Sequence, residues 1–188
     1  LDGVATDDRT GRSVSAAGDM NGDGFDDVIV GASLADQQGR SSGSSYVIFG
    51  KPSGFSAALA LSSLDGHTGF RLDGEMPGDR SGFSVSNAGE FTGDGCADVR
   101  SAARSADPYG DKSGVSYIVF GKASGFDASI DLSSLDGSTG FRVGGEAAGD
   151  QLGWSVSSAG DFNGDGLSDL IVGARWADSS NLDAGASY

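Results

Sequence analysis

Asp19-Met20-Asn21-Gly22-Asp23-Gly24-Phe25-Asp26-Asp27 is the stretch from which the fold is read. It returns as Asp161-Phe162-Asn163-Gly164-Asp165-Gly166-Leu167-Ser168-Asp169. An altered copy, Glu90-Phe91-Thr92-Gly93-Asp94-Gly95-Cys96-Ala97-Asp98, lies between them, and each copy stands 71 residues after the last. Oxygen-bearing side chains fall at positions 1, 3, 5 and 9 of every copy. The glycine at position 6 permits the sharp turn that would fold them around one centre. Asp, Asn and Gly are also ordinary turn formers. One such loop is therefore ambiguous, but two matching copies in register favour a bound cation.

The register extends far beyond the loops. Gly11, Gly82 and Gly153 share the 71-residue step, as do Ser13, Ser84 and Ser155, and Tyr46, Tyr117 and Tyr188. The chain of 188 residues thus divides into units 1–71, 72–142 and 143–188, about 2.6 repeats. Each unit shows short strand-like runs bounded by Gly, Asp and Ser. They are Arg12–Ala17, Asp27–Ala32, Ser45–Gly50 and Gly69–Leu72 in the first unit. Their counterparts are Phe83–Ala88, Asp98–Ala103, Ser116–Gly121 and Gly140–Val143, then Trp154–Ala159, Asp169–Ala174 and Ala186–Tyr188. No window carries a helical stripe, although Leu61–Gly66 and Leu132–Gly137 each suit one helical turn. The expected fold is all-β, with four antiparallel strands per unit arranged as propeller blades. Runs such as Val28-Ile29-Val30, apolar without alternation, suit a blade buried on both faces. Gly31 and Gly173 would allow close packing near the axis. A propeller takes roughly four to eight blades, so these blades are expected to belong to a larger or oligomeric ring.

Composition narrows the function classes. There are 12 Lys and Arg against 27 Asp and Glu, a net charge of −15. Such a chain repels phosphates and is a poor nucleic-acid binder. A lone cysteine, Cys96, forbids an internal disulfide. No stretch approaches the roughly 18 apolar residues of a membrane span. The chain starts at Leu1 without a signal peptide, and is read as a mature or excised fragment.

The units resemble the FG-GAP repeats of the integrin α-subunit propeller, and more closely the long FG-GAP repeats of bacterial secreted and surface proteins. The resemblance spans the whole chain. It rests on Gly-x-Ser-Val at Gly11–Val14, Gly82–Val85 and Gly153–Val156, on the acidic loop, and on Asp27–Ala32 and Asp169–Ala174. The Phe of the family motif is Thr10, Ser81 or Leu152 here, and its Pro is Ser33, Arg104 or Arg175.

Calcium takes roughly six to eight oxygens at flexible geometry. In the first loop the side chains of Asp19, Asn21, Asp23 and Asp27, with the Phe25 carbonyl, are the candidate ligands. Asp161, Asn163, Asp165, Asp169 and the Leu167 carbonyl form the matching set. Glu90, Thr92, Asp94, Asp98 and the Cys96 carbonyl form a weaker one, because Glu90 is longer and Thr92 offers only a hydroxyl. Position 12 is Val30 rather than Glu, so the loop is no EF-hand. Magnesium fits less well, and zinc lacks His or Cys ligands.

The middle unit has Arg100 and Ser101 where the others have Ile29-Val30 and Ile171-Val172. His67 is the only histidine and its counterpart is Ser138, so no catalytic triad is expected. Asp36, Asp107 and Asp178 read as turn residues, Tyr46, Tyr117, Phe49 and Phe120 as core, and Trp154 and Trp176 as contact residues. The expected function is a non-catalytic, calcium-binding module. The resemblance implies adhesion, or recognition of a protein or glycan, outside the cell or on a bacterial surface. Two alternatives are a scaffold or filament assembled from further copies of the chain, and an accessory domain of a secreted hydrolase.

Overall fold

The computed structural model describes residues 1–123, 125–178 and 182–188. Its strands in chain order are β1 (Thr10–Gly18), β2 (Asp27–Ala32), β3 (Ser44–Ile48), β4 (Gly69–Asp73), β5 (Ser84–Gly89), β6 (Asp98–Ala103), β7 (Val115–Val119), β8 (Ser129–Asp131), β9 (Gly140–Gly144), β10 (Leu152–Gly160), β11 (Asp169–Ala174) and β12 (Ala186–Ser187). Single 3-10 turns stand at Leu61–Ser63 and Leu132–Ser134, where one helical turn is expected. The strands form three sheets, ordered β1-β2-β3-β4-β8, β5-β6-β7-β9 and β10-β11-β12. These are propeller blades, with the first strands β1, β5 and β10 side by side across the set.

Hydrophobic residues explain the stacking. Ile29 of β2 and Val47 of β3 face the second blade and are wholly buried, in a cluster that also holds Val85, Val99 and Tyr117. Val30, Tyr46 and Ile48 point the other way and pack against Val4, Leu59 and Leu64. A strand with apolar side chains on both faces is stable only when both faces are covered. Gly31 shows how close the blades come. A Cβ there would strike the Gly82 carbonyl oxygen of the next blade. Gly173 shares the second constraint on Gly31: a Cβ at either would meet the serine of its own first strand, Ser155 Oγ at 2.6 Å and Ser13 Oγ at 2.5 Å.

The fifth strand of the first sheet, β8, has no counterpart in the strand pattern read from the sequence. It comes from the second repeat and pairs in parallel with β4, as Arg71↔Ser129, Leu72↔Ile130 and Asp73↔Asp131. The same exchange recurs one repeat earlier as a parallel bridge between Asp2 and Ala60. The connection leading into β8 lays Phe126 flat on Phe70, with centroids 4.5 Å apart and planes at 5°. The second repeat thus straps the outer edge of the first blade. Three residues are too few to show an alternating pattern, which is why the sequence hides this strand.

Candidate functional site

The three acidic loops join β1 to β2, β5 to β6 and β10 to β11, at one end of the blades. The chain folds each loop by turning its carboxylates onto its own backbone. In the first, Asp19 Oδ1 accepts from Asp23 N at 3.0 Å and Oδ2 from Gly24 N at 2.8 Å. Asn21 Oδ1 accepts from Asp23 N at 3.0 Å, and Asp23 Oδ1 from Phe25 N at 2.9 Å. The third loop repeats these bonds. Asp161 accepts from the amides of Gly164, Asp165 and Gly166, and Asp165 from that of Leu167. In the middle loop the longer Glu90 still reaches the amides of Thr92, Gly93 and Gly95.

Position 9 differs in role. Asp27 is buried, at 2% exposure, and opens β2. Its Oδ2 accepts from Met20 N at 2.8 Å and its Oδ1 from Gly50 N at 2.7 Å, so it ties the loop to the exit of β3. Burial, aided by the charges of Asp23 and Asp19, pushes its carboxyl up to about 6 against the two amide bonds. Asp98 makes the same pair of bonds, to Phe91 N and Gly121 N at 2.8 Å each, and burial pushes it to about 6 as well. Asp169 accepts from Phe162 N at 2.7 Å and from both nitrogens of Asn163, at 3.1 and 3.2 Å.

Neighbouring loops are joined in register. Ala97 N donates to the Asp19 carbonyl at 2.9 Å, and Ser168 N to the Glu90 carbonyl at 2.9 Å. Among the described residues no three His, Cys, Asp or Glu side chains stand close enough together to hold a metal ion. The donor set nonetheless suits a hard divalent cation. It offers carboxylate and amide oxygens on a loop already curved by its own amide bonds, and no described salt bridge reaches it from Lys or Arg. Each carboxylate oxygen of Asp19 and Asp27 accepts one amide and keeps a second lone pair that a cation can use. The position-7 side chains, Phe25, Cys96 and Leu167, carry no oxygen ligand. Cys96 is 4% exposed, and burial raises its thiol's pKa, so it is an inert core thiol.

At the other end of the blades lies a feature that sequence reading saw only in fragments. Arg12 lies over the Phe83 ring at 4.3 Å, and Arg104 over the same ring at 4.3 Å and over Trp154 at 4.8 Å. Arg175 continues the row over Trp154 at 4.5 Å and Trp176 at 4.6 Å. Arg12, Phe83 and Trp154 occupy one repeat position, and Arg104 and Arg175 another. The arginines that replace the family's Pro thus build a cation–π ladder across the blades. Asp36, Asp107 and Asp178 are turn residues, each accepting at 2.6 Å from the amide five positions on. Asp8, Asp79 and Asp150, which the sequence reading passed over, cap a second set of turns by accepting from Ala5, Met76 and Ala147. Their recurrence at the 71-residue step was the available signal.

Arg100 and Ser101 both bind across blades. Arg100 is wholly buried, and its Nη1 donates to the Ile171 carbonyl at 2.8 Å. Ser101 Oγ lies 2.8 Å from Ser45 Oγ, 3.1 Å from Ser81 Oγ and accepts from Gly82 N at 3.0 Å. His67 is on an exposed turn closed by Asp65, whose Oδ1 accepts from the His67 and Thr68 amides. No described helix is long and apolar enough to cross a membrane.

Comparison with known proteins gives matches along the same repeat. The family model "FG-GAP repeat" matches residues 10–48 and 152–188, the two units with unaltered loops. Integrin alpha-4 of Xenopus laevis is 33% identical over 176 residues, covering 92% of this chain and 15% of that protein. Integrin alpha-V of Gallus gallus is 30% identical over 179 residues, covering 92% and 15%. Phosphatidylinositol-glycan-specific phospholipase D of Bos taurus is 31% identical over 173 residues, covering 90% and 19%. The chain spans less than a fifth of the length of these curated relatives.

Proposed function

Since the chain is a run of integrin-like FG-GAP propeller blades, we propose that it is a non-catalytic recognition module, held by calcium and displayed outside the cell. The observation that carries this reading is the acidic loop, repeated in register and free of described basic partners. Asp19, Asn21, Asp23, Asp27 and the Phe25 carbonyl would hold one ion. Asp161, Asn163, Asp165, Asp169 and the Leu167 carbonyl would hold a second. Glu90, Thr92, Asp94, Asp98 and the Cys96 carbonyl would form a weaker third site. A bound ion neutralises carboxylates that repel one another and joins the first strand of a blade to its second. It therefore stabilises the fold by mass action. Adhesion, or recognition of a protein or glycan, falls to the loops at the opposite end, where the arginine–aromatic ladder lies. A setting on the cell exterior accords with the bacterial secreted and surface proteins whose long repeats the chain resembles.

The test is thermal melting in millimolar CaCl2 and in EGTA. The expected outcome is a transition several degrees lower in EGTA, with the shift reduced in Asp165→Ala. An unmoved transition, with no ion bound by titration calorimetry, would remove calcium from the account. The match to a phospholipase D supports a second reading, an accessory propeller of a hydrolase whose active site lies in other residues. Assay of a full-length parent protein, with and without these blades, separates the two.

A further inference from the structure

Where the second blade departs from the first, it opens a cavity. In the first blade Arg71 is bound within its own strand, with Nε 2.6 Å from Asp73 Oδ1 and Nη2 2.9 Å from Oδ2. One repeat later the acid is missing, for Gly144 stands in the place of Asp73. Arg142 therefore turns to the loop of the preceding blade, and its Nη1 lies 2.9 Å from each oxygen of Glu75. Glu75 replaces Val4, which packs in the first blade's apolar cluster, and Tyr109 replaces Gln38. These changes line one cavity of about 540 Å³ between the β4–β5 and β6–β7 loops.

Two tyrosines line the cavity. Tyr117 lines it with a side chain that is wholly buried, its hydroxyl facing the Glu75 carboxylate. The Tyr109 ring, 69% exposed, forms part of the wall. That ring is seated by the glycine. A Cβ at position 144 would meet Tyr109 Cε2 at 2.6 Å.

We propose that this cavity binds a neutral hexose residue of a glycan, with the sugar ring stacked on Tyr109. The inference rests on the recognition-module reading and names its ligand class. A hexose has an apolar C–H face that suits an exposed aromatic ring. Its hydroxyls donate to the Glu75 and Asp107 carboxylates and accept from Arg142. A cationic side chain suits the cavity less, because Arg142 is there and already holds Glu75. An anion would meet Glu75, Asp79 and Asp107. A neutral ligand with both donors and acceptors answers all of these groups.

The experiment uses the intact chain in millimolar CaCl2 and ligand-observed NMR with the methyl glycosides of glucose, galactose and mannose. At least one should bind, and affinity should fall by about tenfold or more in Tyr109→Ala, the loss expected for one stacked ring. Gly144→Asp, which restores the first blade's residue and displaces the Tyr109 ring, should weaken binding as much. Because Tyr109 is exposed, its truncation should leave the melting temperature unchanged, so loss of binding is not loss of fold. Absence of binding by all three glycosides overturns the proposal, as does a change under about twofold in Tyr109→Ala. Binding of a lysine-rich peptide that Glu75→Gln abolishes would assign the cavity to a basic protein segment and equally overturn it. If hexosides fail while the wild-type chain still attaches to cells or to a protein ligand, only the sugar falls and the module stands.

Discussion

Ile29, Arg100 and Ile171 occupy one repeat position, and the middle residue is out of character. Arg100 is fully buried, and burial lowers its guanidinium to about 10. Only Nη1 is bonded, while Nε and Nη2 find no partner among the described residues. A buried charge without a counter-ion costs more than its hydrogen bond returns. Arg100→Ile, the residue of its siblings, is expected to stabilise the chain by about 1–3 kcal/mol in urea unfolding; destabilisation would show that the bond to Ile171 dominates. Asp79 makes a second test at this scale. Its folded pKa of about 6 lies above the ordinary 3.8. A raised pKa adds stability below 3.8 that is lost as the pH rises through 6. Asp79→Asn keeps an acceptor for Met76 N and has no charge to bury. It is expected to gain about 2 kcal/mol near neutral pH, fading as the pH is lowered towards the unfolded pKa. A gain that is constant with pH would mean that the carboxyl titrates normally.

Phe55 and Phe126 are one residue at the scale of the element, equivalent in the repeat but opposite in setting. Phe126 is 8% exposed because the strap lays it on Phe70 of the blade before, while Phe55 is 59% exposed. The covered edge shows the same contrast, since Leu72 of β4 is fully buried and its counterpart Val143 of β9 is 37% exposed. Phe126→Ala is expected to cost about 3 kcal/mol, and Phe55→Ala under about 0.5 kcal/mol, both by urea unfolding. Equal losses would deny that the strap acts between blades. This element also marks how far the sequence could be read. The second strands were legible to the residue, at Asp27–Ala32, Asp98–Ala103 and Asp169–Ala174, because an acidic residue opens each, an apolar run fills the first and third, and the 71-residue step places the second. The strap was not, because its partner lies in another repeat and its length carries no period. The loops were legible as loops. Their carboxylates' hydrogen bonds to backbone amides were not, because turn formation and metal ligation call on the same residue types.

Across the whole molecule the seams differ in kind. The first and second blades meet through aliphatic and aromatic side chains, including Ile29, Val85, Val99 and Tyr117. The second and third meet through Arg100, through Gly153 lying close on Ala102, and through the ladder of Arg104, Trp154 and Arg175. The two ends of the blades also differ in what they carry. The acidic loops gather at one end, while at the other Arg12, Arg104 and Arg175 stand among the turn carboxylates of Asp36, Asp79 and Asp107. Period alone revealed the blades, but the ladder needed the structure, since its members are separated by 21 residues or more along most of its length. The ladder also makes the chain an optical reporter of itself. Both tryptophans, Trp154 and Trp176, rest on Arg175, and the chain has no others. Indole emission therefore follows the third blade and its seam, while circular dichroism sums every strand. Followed together, the two signals resolve in time which blade lets go first.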